Sequence, residues 1–323
     1  MKQLGFLLGA ALLLASCGGT GGSTAQSNAS KPLTPLNGAY ASTGTNALAT
    51  WVAQDQGFFR QQGLDVNLSY IEGSVNAAPA LSGGDVSIVD VTAQAAIQGQ
   101  LKGLDMVVLA VHAAFSREHL MAGGGINTVA DLKGKAIGAT RAGSLDDLAA
   151  KAALKKQGFE PGKDVSMSYF GTQAAQVAAL QSGNIASIIV PAPYDGQAKQ
   201  AGGHEIDLER IAYPADGIIS SRKFVSEHQD QAVAFLTGYV QGLRFLRSNP
   251  DASKQVLAKY TKQDDPNVLN PAFDDLLANL VDNPTPTTDG IQNALSQLDG
   301  GEGKNPADFV DTTPIARALA AVK

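Results

Sequence analysis

Residues 80–89, ALSGGDVSIV, and residues 179–188, ALQSGNIASI, align without a gap. Each reads as the end of a helix, a glycine stop at Gly84 or Gly183, a short polar step, and then an apolar strand. A helix feeding a buried strand is the closing half of an αβ unit, and the two copies lie in different halves of the chain. Around the first copy the same rhythm continues. The strand LDVNLSYI (64–71), a helix over 74–82, the strand DVSIV (85–89), a helix over 93–101 and the strand LDMVVLAV (104–111) follow one another. Upstream, Asn46 to Arg60 has helical spacing that puts Leu48, Trp51, Val52 and Phe59 on one side, with Gly63 as its stop, so Trp51 is expected to be buried. Around the second copy come EHLMA (118–122), KAIGA (135–139), a helix from Ser144 to Gln157, DVSMSYF (164–170), a helix from Gln173 to Ser182, ASIIV (186–190) and a helix over 193–200. From Phe224 onward the pattern is helical, punctuated by prolines, with Ala232 to Leu246 the clearest amphipathic run.

Strand–helix alternation implies mainly parallel sheets. Joined by extended crossings near Val108 to Ala114 and Ile211 to Ile218, two such units fit a clamshell better than one long sheet. The fold class expected is therefore α/β, with two lobes, each a mainly parallel sheet flanked by helices, and a helical C-terminal region. The lobes are placed at 36–113 plus 217–323 and at 114–216. The chain of 323 residues, 44% hydrophobic and 17% charged, is long enough for two cores.

The N-terminus carries a different message. Lys2, the apolar stretch Leu4 to Leu14, and the small residues Ala15 and Ser16 read as a secretory signal over residues 1–16. Leu14-Ala15-Ser16-Cys17 resembles the bacterial lipobox, which implies cleavage before Cys17 and a lipid on its thiol. Cys17 is the only cysteine, so it has no disulfide partner within the chain. Residues 17–35, with GGTGGSTAQSNAS (18–30) at their centre, read as a lipidated cysteine on a flexible linker. The net charge of -6, with no basic run, argues against nucleic acid as a partner.

Five stretches in order carry a family resemblance: GFFRQQGLDVNL (57–68), ALSGGDVSIVD (80–90), DLKGKAIGATRAGS (131–144), ALQSGNIASIIVPAPY (179–194) and NPADFVDTTPIARAL (305–319). They resemble the extracytoplasmic solute-binding proteins of ABC importers, in particular the nitrate, sulfonate, taurine and thiamine-precursor group. The resemblance implies a periplasmic-binding-protein fold of the second type, in lipoprotein form. It further implies a small molecule caught between lobes, a monomer, and delivery to a permease served by an ATPase. It implies neither a cofactor nor a metal. Two departures concern the ligand. Ser87 and Ala186 stand where the family often has Asp, and Pro191-Ala192-Pro193 stands where it often has Glu-Pro. The cysteine-rich motif of the related pyrimidine-synthesising enzymes is missing.

In an open α/β lobe, ligands bind beyond the carboxyl ends of the strands, where loops enter helix N-termini. Loops of that kind supply Ser42, Thr43 and Thr45, then Gly73 and Ser74, then Thr92, and in the other lobe Arg141, Gly143 and Ser144, with Thr172, Tyr194 and Asp216 as further candidates. The hydroxyls of Ser42, Thr45, Ser74, Thr92, Ser144 and Thr172 serve either as helix caps or as ligand contacts. Arg141 has the chemistry to grip a sulfonate or carboxylate in a bidentate way, and Arg117 shares it. Glu72, Asp90 and Asp216 oppose an anion: if two of them face inward, a cationic or neutral nitrogen-containing ligand is favoured. Tyr40, Trp51, Phe115 and Tyr194 are the aromatics available for stacking. The histidines His112, His119, His204 and His228 lack metal-site spacing, and no G-x-S-x-G, S-x-x-K, G-x-x-x-x-G-K or G-x-G-x-x-G motif occurs. The expectation is therefore a binding protein, not an enzyme. A ligand-sensing lipoprotein feeding a membrane receptor and an enzyme of the thiamine-precursor type remain the alternatives.

Overall fold

A computed structural model describes residues 32–113, 118–207, 215–296 and 298–322. The signal, Cys17, most of the linker, Phe115, Arg117 and residues 208–214 of the second crossing lie outside the described residues.

The first half builds β1 (Thr34–Tyr40), α1 (Leu48–Asp55), α2 (Phe58–Gln61), β2 (Leu64–Tyr70), α3 (Gly73–Gly83), β3 (Ile88–Thr92), α4 (Ala93–Leu101) and β4 (Val107–Val111). The single helix expected over 46–60 is instead a one-turn 3-10 segment, α1 and α2. The break comes at Gly57, whose φ of +71° is left-handed and ends the helix. The second half builds β5 (Glu118–Ala122), β6 (Ala136–Ala139), α5 (Leu145–Lys156), β7 (Ser166–Tyr169), α6 (Gln173–Gln181), β8 (Ser187–Pro191), α7 (Tyr194–Gln200) and β9 (His204–Ile206). The chain then returns through β10 (Asp216–Ser220) and runs on through α8 (Arg222–Glu227), α9 (Gln229–Ser248), α10 (Pro250–Thr261), α11 (Pro266–Asn279), α12 (Thr288–Ser296) and α13 (Thr313–Ala321).

The strands form two five-stranded sheets, in the orders β2-β1-β3-β10-β4 and β7-β6-β8-β5-β9. β1 pairs in parallel with β2 and β3, while β10 runs antiparallel between β3 and β4. In the other sheet β6 pairs in parallel with β7 and β8, and β5 runs antiparallel to β8 and β9. In each sheet four strands therefore share one direction. The odd one is the strand that enters the second sheet (β5) or returns from it (β10).

The two aligned segments close their helices in the same way. Gly84 N–H donates to Leu81 O and Asp85 N–H to Ala80 O. At the matching positions Gly183 N–H donates to Leu180 O and Asn184 N–H to Ala179 O. Gly84 and Gly183 both take left-handed φ, +84° and +73°, a conformation glycine adopts without steric cost. β3 and β8 then follow, each buried throughout because helices cover both faces of its sheet.

Around the first sheet a core joins α1, α9, α10, α11 and α13. Trp51, Phe59, Phe235, Tyr239 and Phe273 are all at most 1% exposed, and Phe59 and Phe235 stack with centroids 4.5 Å apart. Helices α1 and α9 approach so closely that a Cβ at Gly242 would lie 2.4 Å from Ala49 O. The second sheet has its own core, centred on Leu120, Leu132, Ile137, Leu154 and Ile189. Among the described residues no helix is long and apolar enough to cross a membrane.

Candidate functional site

The carboxyl ends of β1, β3, β6 and β8 point toward a common gap, and the loops leaving them supply its walls. The walls border about 480 Å³ of space not filled by atoms, open solvent included, of which about 40 Å³ has room for the centre of a water molecule. From the first sheet's side come Ser42, Asn46, Gly73, Ser74, Asp90, Thr92 and Asp216; from the second come Glu118, Thr140, Ser144, Asp146 and Gln173. Of the loop candidates, Ser42, Gly73, Ser74, Thr92, Ser144 and Asp216 line this cavity. Thr43, Thr172 and Tyr194 line a wider outer groove together with Tyr70, Tyr260 and Gln263. Thr45, Arg141 and Gly143 are in neither wall.

Each wall is held by local chemistry. Asp90 and Asp216 lie on neighbouring strands, each 3% exposed. Thr50 Oγ1 donates to Asp90 Oδ2 at 2.5 Å, and Asn46 Nδ2 donates to Asp216 Oδ1 at 3.0 Å. Behind Asn46, its carbonyl meets His112 Nε2 at 3.1 Å, and Tyr239 closes the chain with its hydroxyl 2.5 Å from His112 Nδ1. That buried file fixes the backbone from which Asn46 reaches the cavity.

On the opposite wall Asp146 begins α5. Its carboxylate accepts from Thr140 N at 2.6 Å, Thr140 Oγ1 at 2.9 Å, Asp147 N at 3.0 Å and Gln176 Nε2 at 3.1 Å, and also from the Ser144 hydroxyl. Burial nonetheless raises the Asp146 pKa above the ordinary carboxylate value, outweighing those donors. Asp147, fully buried, accepts from Gly143 N at 2.7 Å and pairs with Lys151 at 2.7 Å, which holds the turn ahead of α5.

The capping hydroxyls divide. Thr92 accepts from Ala95 N and Thr172 from Ala175 N, as N-caps do, while Ser144 turns to Asp146 and the Arg141 carbonyl instead of capping α5. Ser42 Oγ accepts from Gly44 N at 3.1 Å.

Arg141, outside the cavity wall, forms an ion pair with Glu72, which precedes α3 on the other side of the gap. The two sides touch again where Thr43 Oγ1 lies 2.9 Å from Tyr194 OH and where Thr45 N–H donates to Ala192 O at 3.0 Å. Burial raises the Tyr194 pKa, its Thr43 hydrogen bond acting in the opposite sense. Tyr70, beside Glu72, is pushed up to about 12, first by burial and then by the Glu72 charge. The helical C-terminal region spans both sides: α11 meets α7, where Gln200 Nε2 donates to Asp265 Oδ2 at 2.5 Å, and Tyr260 to Gln263 edge the outer groove. Tyr40 and Trp51 pack edge to face at 5.4 Å, and Trp51 is fully buried as its helix position implies.

Asn46, Glu118, Thr140, Asp146 and Gln173 are wall residues that the loop reading does not reach. Asp146 and Gln173 occupy first turns of helices at strand ends, the position that would have identified them. Among the described residues no group of His, Cys, Asp and Glu is arranged to hold a metal ion.

The NMT1/THI5-like family model matches residues 44–253. Comparison with curated proteins gives no match. Among solved structures, a Bordetella bronchiseptica protein superposes with a TM-score of 0.78 at 23% identity, covering 89% of this chain and 98% of that one. The periplasmic aliphatic sulphonate binding protein SsuA from Escherichia coli gives 0.65 at 18%, covering 88% and 91%. The periplasmic nitrate-binding protein NrtA from Synechocystis gives 0.72 at 17%, covering 90% and 89%. At these identities the likeness is one of fold: the two lobes of a type II periplasmic binding protein, in line with the two sheets and their order.

Proposed function

Because the chain belongs to the NMT1/THI5-like family, its model matching well over half of the sequence, we propose that the protein is a solute-binding component of an ABC importer. In this reading it captures a small polar molecule between lobes formed by residues 36–113 plus 217–323 and 114–216, and delivers it to a permease. The observation that carries the reading is the cavity at the carboxyl ends of both sheets, walled by buried polar side chains from each side.

Closure follows from the contacts across the gap. Glu72 with Arg141, Thr43 with Tyr194, and Thr45 N–H with Ala192 O are made only when the lobes meet, so each favours the closed form. A solute that touches both walls adds to them and shifts the equilibrium toward closure; release reverses it. Binding is non-covalent and leaves the solute unchanged. The lipobox-like Leu14-Ala15-Ser16-Cys17 supports a lipid anchor that holds the protein on the extracytoplasmic face of a membrane.

Native mass spectrometry of the chain purified from its own cells tests this. One small molecule per chain, released unchanged on denaturation, is the expected result; a chemically converted product or a solute-free chain contradicts it. Separately, Cys17→Ser is expected to move the protein from the membrane to the soluble fraction. Retention of that variant on membranes, with the signal intact, would refute the anchor.

A further inference from the structure

Two loops meet edge to edge where the sides of the gap touch. Thr43 Oγ1 lies 2.9 Å from Tyr194 OH, and Thr45 N–H donates to Ala192 O at 3.0 Å. Between those contacts sits Gly44. Its φ of -91° and ψ of -171° are extended backbone that any residue adopts, so the conformation does not call for glycine. The space does. A Cβ there would lie 2.8 Å from Ala192 O, 3.1 Å from Pro191 Cγ and 3.3 Å from Asn46 Oδ1, which is buried and has no hydrogen-bond partner among the described residues. A backbone oxygen does not swing aside as a side-chain tip does, so the missing side chain is what lets the loops close up.

The seam also lies between two spaces. Along each loop one residue lines the inner cavity and a near neighbour lines the outer groove: Ser42 and then Thr43, Pro191 and then Tyr194, and on another turn Gln173 and Thr172. The loops themselves are therefore the partition, and the Tyr194 side chain, 6% exposed and in contact with Thr43, is part of it. The spaces differ greatly in size. The inner cavity has about 40 Å³ in which the centre of a water fits, room for about three or four water-sized groups, whereas the outer groove has about 730 Å³ on the same measure.

Resting on the binding-protein reading above, we propose that this seam sets the size of the solute. With Thr43 on Tyr194 and Gly44 against Ala192, the cavity takes a compact solute, and a longer one needs the space that the Tyr194 ring bars. Tyr194 is then the residue that excludes long solutes, and Gly44 the residue that lets the seam close. The limit is steep, because a methylene without space forces the loops apart and breaks the contacts that favour closure. It is a limit of length and holds for either charge of headgroup.

Native mass spectrometry of the purified full chain, mixed with straight-chain alkanesulfonates, alkanoates and alkylammonium ions of increasing length, reads that limit for each headgroup. In the unaltered chain, members of about six carbons or more should be held at least about tenfold more weakly than the shortest member of the same series. Tyr194→Ala should narrow that difference about tenfold; Tyr194→Leu, which keeps more of the buried volume, takes its place if the alanine variant does not fold. Gly44→Ala leaves the ring in place and should weaken every length alike, by about fivefold or more, because its methyl holds the loops apart. Long members held as tightly as short ones by the unaltered chain, a length profile in the Tyr194 variant that matches the unaltered chain, or unchanged binding in Gly44→Ala would each overturn the inference. So would refusal of every member by both the unaltered chain and the Tyr194 variant, since the series offer both charges at the size the cavity holds. None of these results touches the binding-protein reading, which falls only if the natively purified chain carries no solute.

Discussion

Replacing Arg141 separates two roles that the sequence alone leaves together. As a ligand contact, a charge-assisted grip, its loss would cost about 1.5–3 kcal/mol of affinity for an anion. The structure instead pairs it with Glu72 across the gap, where the two side chains are 40% and 29% exposed. Water and salt screen a pair that open, so its worth is about 0.2–1 kcal/mol, or about a 1.4- to 5-fold change in the ratio of closed to open molecules. Pulsed electron resonance between spin labels at Ser82→Cys and Ser182→Cys, both exposed at helix ends on different sheets, measures that ratio directly in a Cys17→Ser background. Arg141→Gln and Glu72→Gln should each lower the closed fraction by that factor. The double variant should fall no further than either single one, because one interaction is being removed twice. Raised ionic strength should reproduce the effect in the unaltered chain and do little in the variants. Additive effects of the two substitutions, or a closed fraction unaffected by Arg141→Gln, would refute the pairing as a closure contact.

Two further outcomes follow from packing and titration. Gly242→Ala should destabilise the fold by about 1–3 kcal/mol in chemical denaturation, because the new methyl would meet Ala49 O. Helix propensity alone would make the change favourable by up to about 1 kcal/mol, so an unchanged or raised stability contradicts the close crossing of α1 and α9. At the His119–Glu205 pair, 2.7 Å apart, burial works to lower the His119 pKa. The Glu205 hydrogen bond and the charges of Asp195, Glu205 and Asp275 overcome it, for a net rise above 6.5. The His119 bond is also the main cause holding Glu205 down at about 2. The Glu205 contribution is therefore present above its ordinary value of 4.5 and lost as pH falls toward about 2. The His119 contribution is present below 6.5 and lost as pH rises through its raised value. The melting-temperature gap between the unaltered chain and His119→Gln should be widest between pH 4.5 and 6.5 and close in mild alkali. A gap independent of pH would refute the pair.

The helix-to-strand echo was legible because its signals are local. A left-handed glycine and the apolar run behind it need no knowledge of the rest of the chain, and both copies form the same hydrogen bonds. The antiparallel insertion of β5 and β10 was not, since EHLMA and DGIIS are short apolar strands whose direction is fixed only by partners elsewhere in the chain. The same limit applies to the site. Ser42, Ser74, Thr92 and Ser144 line the cavity, as a loop leaving a strand end allows, while Thr43 and Thr172 line the outer groove and Thr45 neither. The pairing of Arg141 with Glu72, 69 positions away in sequence, is visible only in the folded chain. Asp146 reads as an ordinary first-turn acid favoured by the helix dipole, and only the folded chain puts it in the wall opposite Asp90 and Asp216. Asn46 falls inside what periodicity treats as one helix, and its orphaned carbonyl is a property of the assembled cleft.

A crystal structure of the chain with the solute that co-purifies with it tests the central claim most directly. Density for one small molecule enclosed between the Asn46–Asp216 wall and the Glu118–Gln173 wall is the predicted result. A solute bound outside this cavity, or a closed cavity filled only by water in a chain that carries its solute, would contradict the account.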